Sequence, residues 1–139
     1  MRYVLLDTGP IVALLDRSDG HHARCVEAIS EIDATLVTCE PVIAEACYLL
    51  RNVRGAPEAV LQNVERGVFQ LPFRLAPESG AVSTLVSKYR RVPMDLADAC
   101  LVRLAELVGT ARVLTLDRDF DIYRWRKTRK FERLISLDD

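Results

Sequence analysis

Four acidic residues stand where an acid is costly: Asp7 ends the apolar run Val4-Leu5-Leu6, Glu45 is alone in PVIAEACYLL, Asp98 lies in MDLADACLVRLAE, and Asp117 closes ARVLTLD. A mid-helix glutamate ordinarily finds a cation three or four positions away. Around Glu45 those positions hold Pro41, Val42, Tyr48 and Leu49. Around Asp98 they hold Met94, Asp95, Leu101 and Val102, so the only charged neighbour is another acid, on the same helical face. Asp7 and Asp117 each follow a strand, where aspartate often caps the next helix. Thr8 and Asp119 are available for those caps, which leaves Asp7 and Asp117 free for other work.

Taken singly, each of these acids has a structural reading, a pair with a distant arginine, but one arginine cannot neutralise four. At roughly 4 Å and an effective dielectric of about 20, each like-charged pair costs on the order of 4 kcal/mol. A divalent cation removes that repulsion. Oxygen-only ligation by carboxylates suits a hard ion, Mg2+ or Mn2+, and the absence of a His/Cys set argues against zinc. Such an ion can act as a Lewis acid and activate a bound water. A metal-free mechanism using two histidines fits poorly, because His21 and His22 are adjacent and point about 100° apart on a helix; they read as a solvated pair.

The elements that must position these acids alternate along the chain. Residues 2–6 predict a strand, and Pro10 opens a helix carrying Ile11, Val12, Leu14 and Leu15. Ser18 or Asp19 can cap a second helix with Val26, Ile29 and Ile32 at helical spacing, and TLVTC (35–39) is a short strand. Glu40-Pro41 starts a third helix to about Val53, and Pro57 a fourth to about Gly67, together a helical hairpin. QLPFRL (70–75) is a Pro-interrupted edge strand, Pro77 leads into a helix ending near KYRR (88–91), and another over 95–107 is closed by Gly109. A strand in ARVLTLD, a short helix near 119–125 and a last strand around Leu134-Ile135 finish the pattern. Strands separated by helices imply a parallel sheet covered on both faces, with ligands at the carboxyl ends of the strands. Asp7 and Asp117 occupy that edge.

The 139 residues fit a single domain, 1–139. No apolar run approaches the roughly 20 residues that span a bilayer, and MRYVLLD lacks the h-region of a signal peptide, so the expected setting is the cytoplasm, without a membrane. Cys25, Cys39, Cys47 and Cys100 form no C-x-x-C pair and read as reduced, packed thiols. A net charge of -1 gives no global attraction to nucleic acid, so any such attraction must be local. YRWRKTRKFER (123–133) is the local cluster: Arg124, Arg126, Lys127, Arg129, Lys130 and Arg133 interleave with Tyr123, Trp125 and Phe131. Cations meet phosphates and aromatic faces stack on unpaired bases, a combination suited to single-stranded RNA; the alternative is a solvated charged surface whose aromatics pack inward. The hairpin 41–69 can complete the core or form an interface, and the core is the simpler assignment.

In order along the chain, VLLDTGPIVALL, VIAEACYLL, DLADACLVRLAE and VLTLDRDFDIYR resemble the motifs of the PIN-domain family, metal-dependent ribonucleases that include VapC-like toxins. The resemblance spans essentially the whole chain. It implies a three-layer α/β/α sandwich around a parallel five-stranded sheet in the order 3-2-1-4-5, which sets Asp7 and Asp117 side by side. It further implies Asp7, Glu45, Asp98 and Asp117 as the catalytic, metal-holding quartet, Asp95, Asp119, Thr8 and Thr115 around it, and Mg2+ or Mn2+ as cofactor. The acid at the last position varies within the family, so Asp117 and Asp119 compete for the fourth place. For toxin-like relatives the implied partners are an RNA substrate, a small antitoxin that covers the acidic site, and a second copy of the chain.

Three other readings fit less well. A phosphoacceptor receiver domain needs an acidic pair before the first-strand aspartate and a late-strand lysine, absent from LTLDRDF. A haloacid-dehalogenase-like phosphatase needs D-x-D, where this chain has Asp7-Thr8-Gly9. The third is a catalytically silent PIN fold that binds RNA or a protein partner.

Overall fold

Val4, Leu5 and Leu6 are fully buried, as a strand paired on both edges and covered on both faces requires. They belong to β1 (Tyr3–Leu6), the middle strand of a five-stranded parallel sheet in a computed structural model that describes residues 2–137. The chain leaves β1 through α1 (Thr8–Leu15) and α2 (His22–Ser30) to β2 (Thr35–Val37), then through α3 (Glu40–Leu49) and α4 (Ala56–Glu65) to β3 (Phe69–Gln70). Next, α5 (Leu75–Lys88) and α6 (Leu96–Val108) carry it back across the sheet to β4 (Arg112–Leu114) on the far side of β1. A 3-10 turn at Arg118–Asp121 and a hairpin of β5 (Arg124–Trp125) and β6 (Arg129–Lys130) precede β7 (Glu132–Arg133).

The sheet order is β3-β2-β1-β4-β7, the predicted order with the fifth place taken by the strand after the hairpin. Leu5 pairs with Val37 on one side and Val113 on the other. The connections run outward from β1 to β3 and then reverse to β4, so right-handed crossovers put α1 to α4 on one face and α5 with α6 on the other. The reversal lies between β2 and β4 at β1, the switch point where such sheets open a crevice at their carboxyl edge.

Several boundaries differ from the pattern read in the sequence. Neither Ser18 nor Asp19 caps α2: His21 precedes it without a side-chain cap, while Asp19 Oδ1 accepts the His21 N–H at 2.8 Å and Asp16 Oδ1 the Ser18 N–H at 3.0 Å. His22 is half-buried rather than solvated, and its Nδ1 lies 2.7 Å from the carbonyl oxygen of the buried Ala13. Pairing of β3 stops before Pro72, which has no N–H to give the ladder. The helix predicted at 119–125 is instead the 3-10 turn and hairpin, and β7 lies ahead of Leu134-Ile135. The physical reason is aromatic bulk: Phe120, Tyr123, Trp125 and Phe131 are all buried, with Phe120 edge-to-face on Tyr123 at 5.2 Å and on Phe131 at 5.4 Å. One continuous helix cannot turn those four positions inward together.

Both cores and surface claim the α3–α4 hairpin. Val42, Ile43, Ala46, Leu50 and Val60 are buried, whereas Tyr48, Leu49 and Leu61 stay at least half exposed. All four cysteines are unpaired thiols.

Gly109 ends α6 with φ 73°, its N–H bonded to the Ala105 carbonyl at 2.8 Å, and so aims β4 into the sheet. An added Cβ would meet only Arg126 Nη2, at 3.6 Å, so the left-handed backbone rather than space demands glycine. Gly109→Ala is expected to cost about 1 kcal/mol, read as a lower urea midpoint at an unchanged m-value.

Candidate active site

At the carboxyl edge of β1 and β4 the surface opens into a cleft of about 370 Å³ whose lining includes Asp7, Glu45, Asp95, Asp98 and Asp117. Asp7 is the first residue past β1, and its N–H extends the ladder by donating to the Leu114 carbonyl at 3.0 Å. Asp117 lies three residues past β4, Asp98 in the first turn of α6, and Glu45 midway along α3. Gly9 lets the wall pack closely: a Cβ there would stand 3.2 Å from Cδ1 of Leu116, another residue of the cleft lining.

Local hydrogen bonds hold each aspartate. Asp7 Oδ1 accepts the Thr8 N–H at 2.8 Å and Oδ2 the Thr115 hydroxyl at 2.7 Å. Thr115 Oγ1 also accepts the Asp117 N–H at 2.9 Å, which ties the ends of β1 and β4 together. Asp117 Oδ1 accepts from the Asp119 N–H at 2.9 Å, and Asp95 Oδ1 from the Asp98 N–H at 2.8 Å. Asp98 Oδ2 accepts the buried Tyr123 hydroxyl at 2.9 Å. Thus Asp7, Asp95 and Asp117 are themselves the caps of α1, α6 and the 3-10 turn; neither Thr8 nor Asp119 relieves Asp7 or Asp117 of that task.

The electrostatics are those of an uncompensated cluster. Burial raises Asp7 to about 6, helped by the charges of Asp117 and Glu45, while its hydrogen bonds from Thr115 and Thr8 pull the other way. Burial likewise raises Asp98 to about 8, with Asp7, Asp95 and Asp117 adding to the rise against the Tyr123 hydrogen bond. Glu45 is raised by partial burial and by Asp95, and Asp119 by partial burial and by Asp117. Ion pairs among the described residues, Arg103 with Glu78 and Glu106 and Arg133 with Asp121, lie elsewhere.

Glu45 itself is exposed, flanked by the exposed Ala44, Tyr48 and Leu49 rather than sunk in an apolar face. It reaches the cleft from its rim. The Thr8 hydroxyl tempers the Glu45 shift but falls short of a full hydrogen bond, and Thr8 Oγ1 is left buried and unpartnered. Asp117 lines the cleft, whereas Asp119 is outside its lining and donates its backbone N–H to Asp117 Oδ1. Tyr123, missed as a site residue by sequence pattern, touches Asp98; only the long-range fold brings the two together.

The basic segment divides. Tyr123, Trp125 and Phe131 are buried, so their faces are not offered to bases. Arg124 is spent on its own loop, its Nη1 donating to the carbonyls of Asp121 at 2.8 Å and Tyr123 at 2.9 Å. Arg126, Lys127, Arg129 and Lys130 are exposed on the hairpin, with Arg126 (φ 46°) and Lys127 (φ 71°) both held in left-handed backbone at its tip.

A hard divalent ion suits the donor set. The titratable groups lining the cleft are all carboxylates, and among the described residues Glu45 and the outer oxygens Asp95 Oδ2, Asp98 Oδ1 and Asp117 Oδ2 accept no hydrogen bond. Among the described residues no three His, Cys, Asp or Glu side chains stand close enough together to hold a metal ion by themselves. Carboxylates spaced around an open cleft suit an ion that keeps several of its own waters, as Mg2+ does.

The model of the PIN domain matches residues 4–125. The chain belongs to the PIN-domain family. It is 33% identical over 117 residues to Ribonuclease VapC26 of Mycobacterium tuberculosis (strain ATCC 25618 / H37Rv), covering 83% of this chain and 87% of that one. Its fold is that of the crystal structure of Mycobacterium tuberculosis VapC20, a sarcin-ricin loop cleaving toxin. The TM-score is 0.80 at 18% identity, over 91% of this chain and 98% of the other.

The raised acids set the pH dependence of stability without metal. Unfolded, both aspartates ionise near pH 4; folded, Asp7 keeps its proton to about 6 and Asp98 to about 8. Over that interval the native state binds more protons, so stability falls as pH rises from 4 to 8. In EDTA, Asp98→Asn should melt above wild type at pH 8, by roughly 3 °C per kcal/mol recovered, and with it near pH 4, as followed by circular dichroism.

Proposed function

We propose that this PIN-family chain is an endoribonuclease that hydrolyses RNA phosphodiester bonds with Mg2+ or Mn2+, acting in the cytoplasm as the toxin of a toxin-antitoxin pair. One observation carries the proposal: carboxylates from four separate segments meet over a cleft at the switch point of the sheet, with no basic side chain in its lining. The likeness to a protein named as a ribonuclease supports it.

Asp7, Glu45, Asp98 and Asp117 would hold the ion, with Asp95 beside them. Bound there, it supplies positive charge to the scissile phosphate and lowers the pKa of water. The carboxylates orient and do not attack. Thr115 keeps Asp7 in place, and the unpartnered Thr8 hydroxyl is available to a water or a phosphate oxygen.

Arg126, Lys127, Arg129 and Lys130 would take the phosphates of the flanking RNA. The Arg126 N–H is anchored on Glu106 Oε2 at 2.8 Å. Glu106 is eight residues along α6 from Asp98, so the tip lies about 12 Å along that helix from the acids. A small antitoxin and a second copy of the chain are the protein partners this function entails. The exposed Tyr48 and Leu49 beside Glu45 support such a contact, since they place apolar area at the rim of the cleft.

Wild type should cut structured RNA with Mn2+ and not with EDTA, and should melt at higher temperature with Mn2+. Asp7→Asn and Asp98→Asn should each slow cleavage by about 100-fold, the equivalent of about 3 kcal/mol of lost transition-state stabilisation. A wild type that neither cuts nor gains stability from Mn2+ would favour the silent binding module. Separately, Lys127→Glu with Lys130→Glu should weaken RNA retention on filters and flatten its salt dependence by about one log unit per log of salt for each lost contact.

A further inference from the structure

We propose that Tyr123 is a positioning residue for Asp98: its hydroxyl, donating to Oδ2 at 2.9 Å, fixes which carboxylate oxygen faces the cleft. Tyr123 is fully buried, the largest side chain among the described residues to be so. Its ring is held edge-to-face by Tyr89 and by Phe120, with centroids 5.2 Å away in each case. The backbone after it is pinned as well, because the Arg124 N–H donates to the Tyr89 hydroxyl at 2.9 Å. The phenol therefore approaches Asp98 from a fixed direction.

Asp98 is pinned twice. Its own N–H donates to Asp95 Oδ1 at 2.8 Å and its Oδ2 accepts from Tyr123, which leaves Oδ1, on a residue of the cleft lining, without a hydrogen-bond donor among the described residues. Thr115 does the same for Asp7, the other buried acid, at 2.7 Å. A core needing only bulk at position 123 would be served by phenylalanine, which brings no polar atom to bury. Setting a phenol against a buried carboxylate among other acids instead spends that hydrogen bond on orientation. Outer partners of this kind fix ligand geometry and typically change metal affinity or activity 10–100-fold, roughly, when removed.

Because this role presupposes the nuclease function proposed above, the test reads both. Wild type, Tyr123→Phe, Tyr89→Phe, Asp98→Asn and the Tyr123→Phe/Asp98→Asn pair are compared for kcat and KM on one RNA and for the Mn2+ concentration that gives half the maximal thermal shift. Tyr123→Phe should lower kcat by roughly 10–100-fold, leave KM for RNA within about twofold, and raise the Mn2+ midpoint about tenfold. Tyr89→Phe removes only the hydroxyl that holds the Arg124 backbone and should raise that midpoint by less than Tyr123→Phe does. In the Asp98→Asn background, Tyr123→Phe should add no further loss of Mn2+ response.

A Tyr123→Phe protein with wild-type kcat and Mn2+ midpoint overturns the proposal, and so does an equal loss in Tyr89→Phe, which would mark a packing effect. If Tyr123→Phe does not melt cooperatively, 3-fluorotyrosine labelling replaces it. The Tyr123 19F resonance should move with Mg2+ in wild type and not in Asp98→Asn, and a resonance that Mg2+ leaves in place overturns the proposal. A wild type that neither cleaves RNA nor responds to Mn2+ defeats the nuclease function and this role with it; a responsive wild type matched by Tyr123→Phe defeats this role alone.

Discussion

Two carboxylates buried side by side, Asp7 at the end of the central strand and Asp98 in the first turn of α6, are the constraint around which the rest of the structure is arranged. Folding must desolvate both and bring Asp95 and Asp117 near them, which lifts their pKa values well above those of free aspartate. Hydrophobic burial elsewhere has to offset that cost. Three adjacent apolar layers do so: the fully buried Val4, Leu5 and Leu6, the matching Val113 and Leu114, and the inward face of α6 from Ala99 to Ala105. The two acids thus sit directly against the most completely buried strands and helix face of the molecule.

Capping and clustering are the same act here. Asp7, Asp95 and Asp117 each begin an element and each accept a backbone N–H from it. The partial positive charge at a helix N-terminus favours a carboxylate there, by about 0.3–1 kcal/mol in exposed cases. Converging the starts of α1 and α6 with the turn after β4 therefore gathers acids through interactions that are individually favourable. The penalty appears only between them, and a cation shared by all would remove it without disturbing any cap. Glu45 is different: it caps nothing, accepts no hydrogen bond among the described residues and hangs at the rim of the cleft, so it is the member of the group with the most freedom to adjust.

The parts of this arrangement that are set locally were legible in the residues. Pro41, Pro57 and Gly109 mark helix boundaries because each imposes its backbone angle without help from the fold, and the Val4-Leu5-Leu6 run could only be a doubly covered strand. The misfit of Asp7, Glu45, Asp98 and Asp117 with their immediate neighbours was equally local, and the cleft brings those positions together. What depends on distant contacts was not legible. The face of α3 that carries Glu45 is turned outward by the packing of α4, so its surroundings are not those of its sequence neighbours. The aromatics of 120–131 are drawn inward by one another, which replaces a helix with a turn and hairpin and takes three rings away from any base. The Tyr123–Asp98 hydrogen bond spans 25 positions and two elements, with no motif to announce it.

Charge layout follows from the same geometry. A polyanion nearing an acidic cleft is repelled within about one Debye length, about 8 Å at physiological ionic strength. The exposed cations of the hairpin stand beyond that reach, about 12 Å along α6 by its rise per residue, so they are not drained by pairing with the cleft carboxylates. Glu106 and the stacking of Arg126 and Arg129 on Trp125, at 5.3 and 5.0 Å, hold the tip in an arrangement whose two left-handed residues would not persist unaided. Acids at the N-terminal end of α6 and cations beside its C-terminal end let the chain keep a net charge of only -1 with the two signs held apart. Uniform mixing of the same residues would have yielded surface ion pairs worth less than about 1 kcal/mol each and no field of either sign.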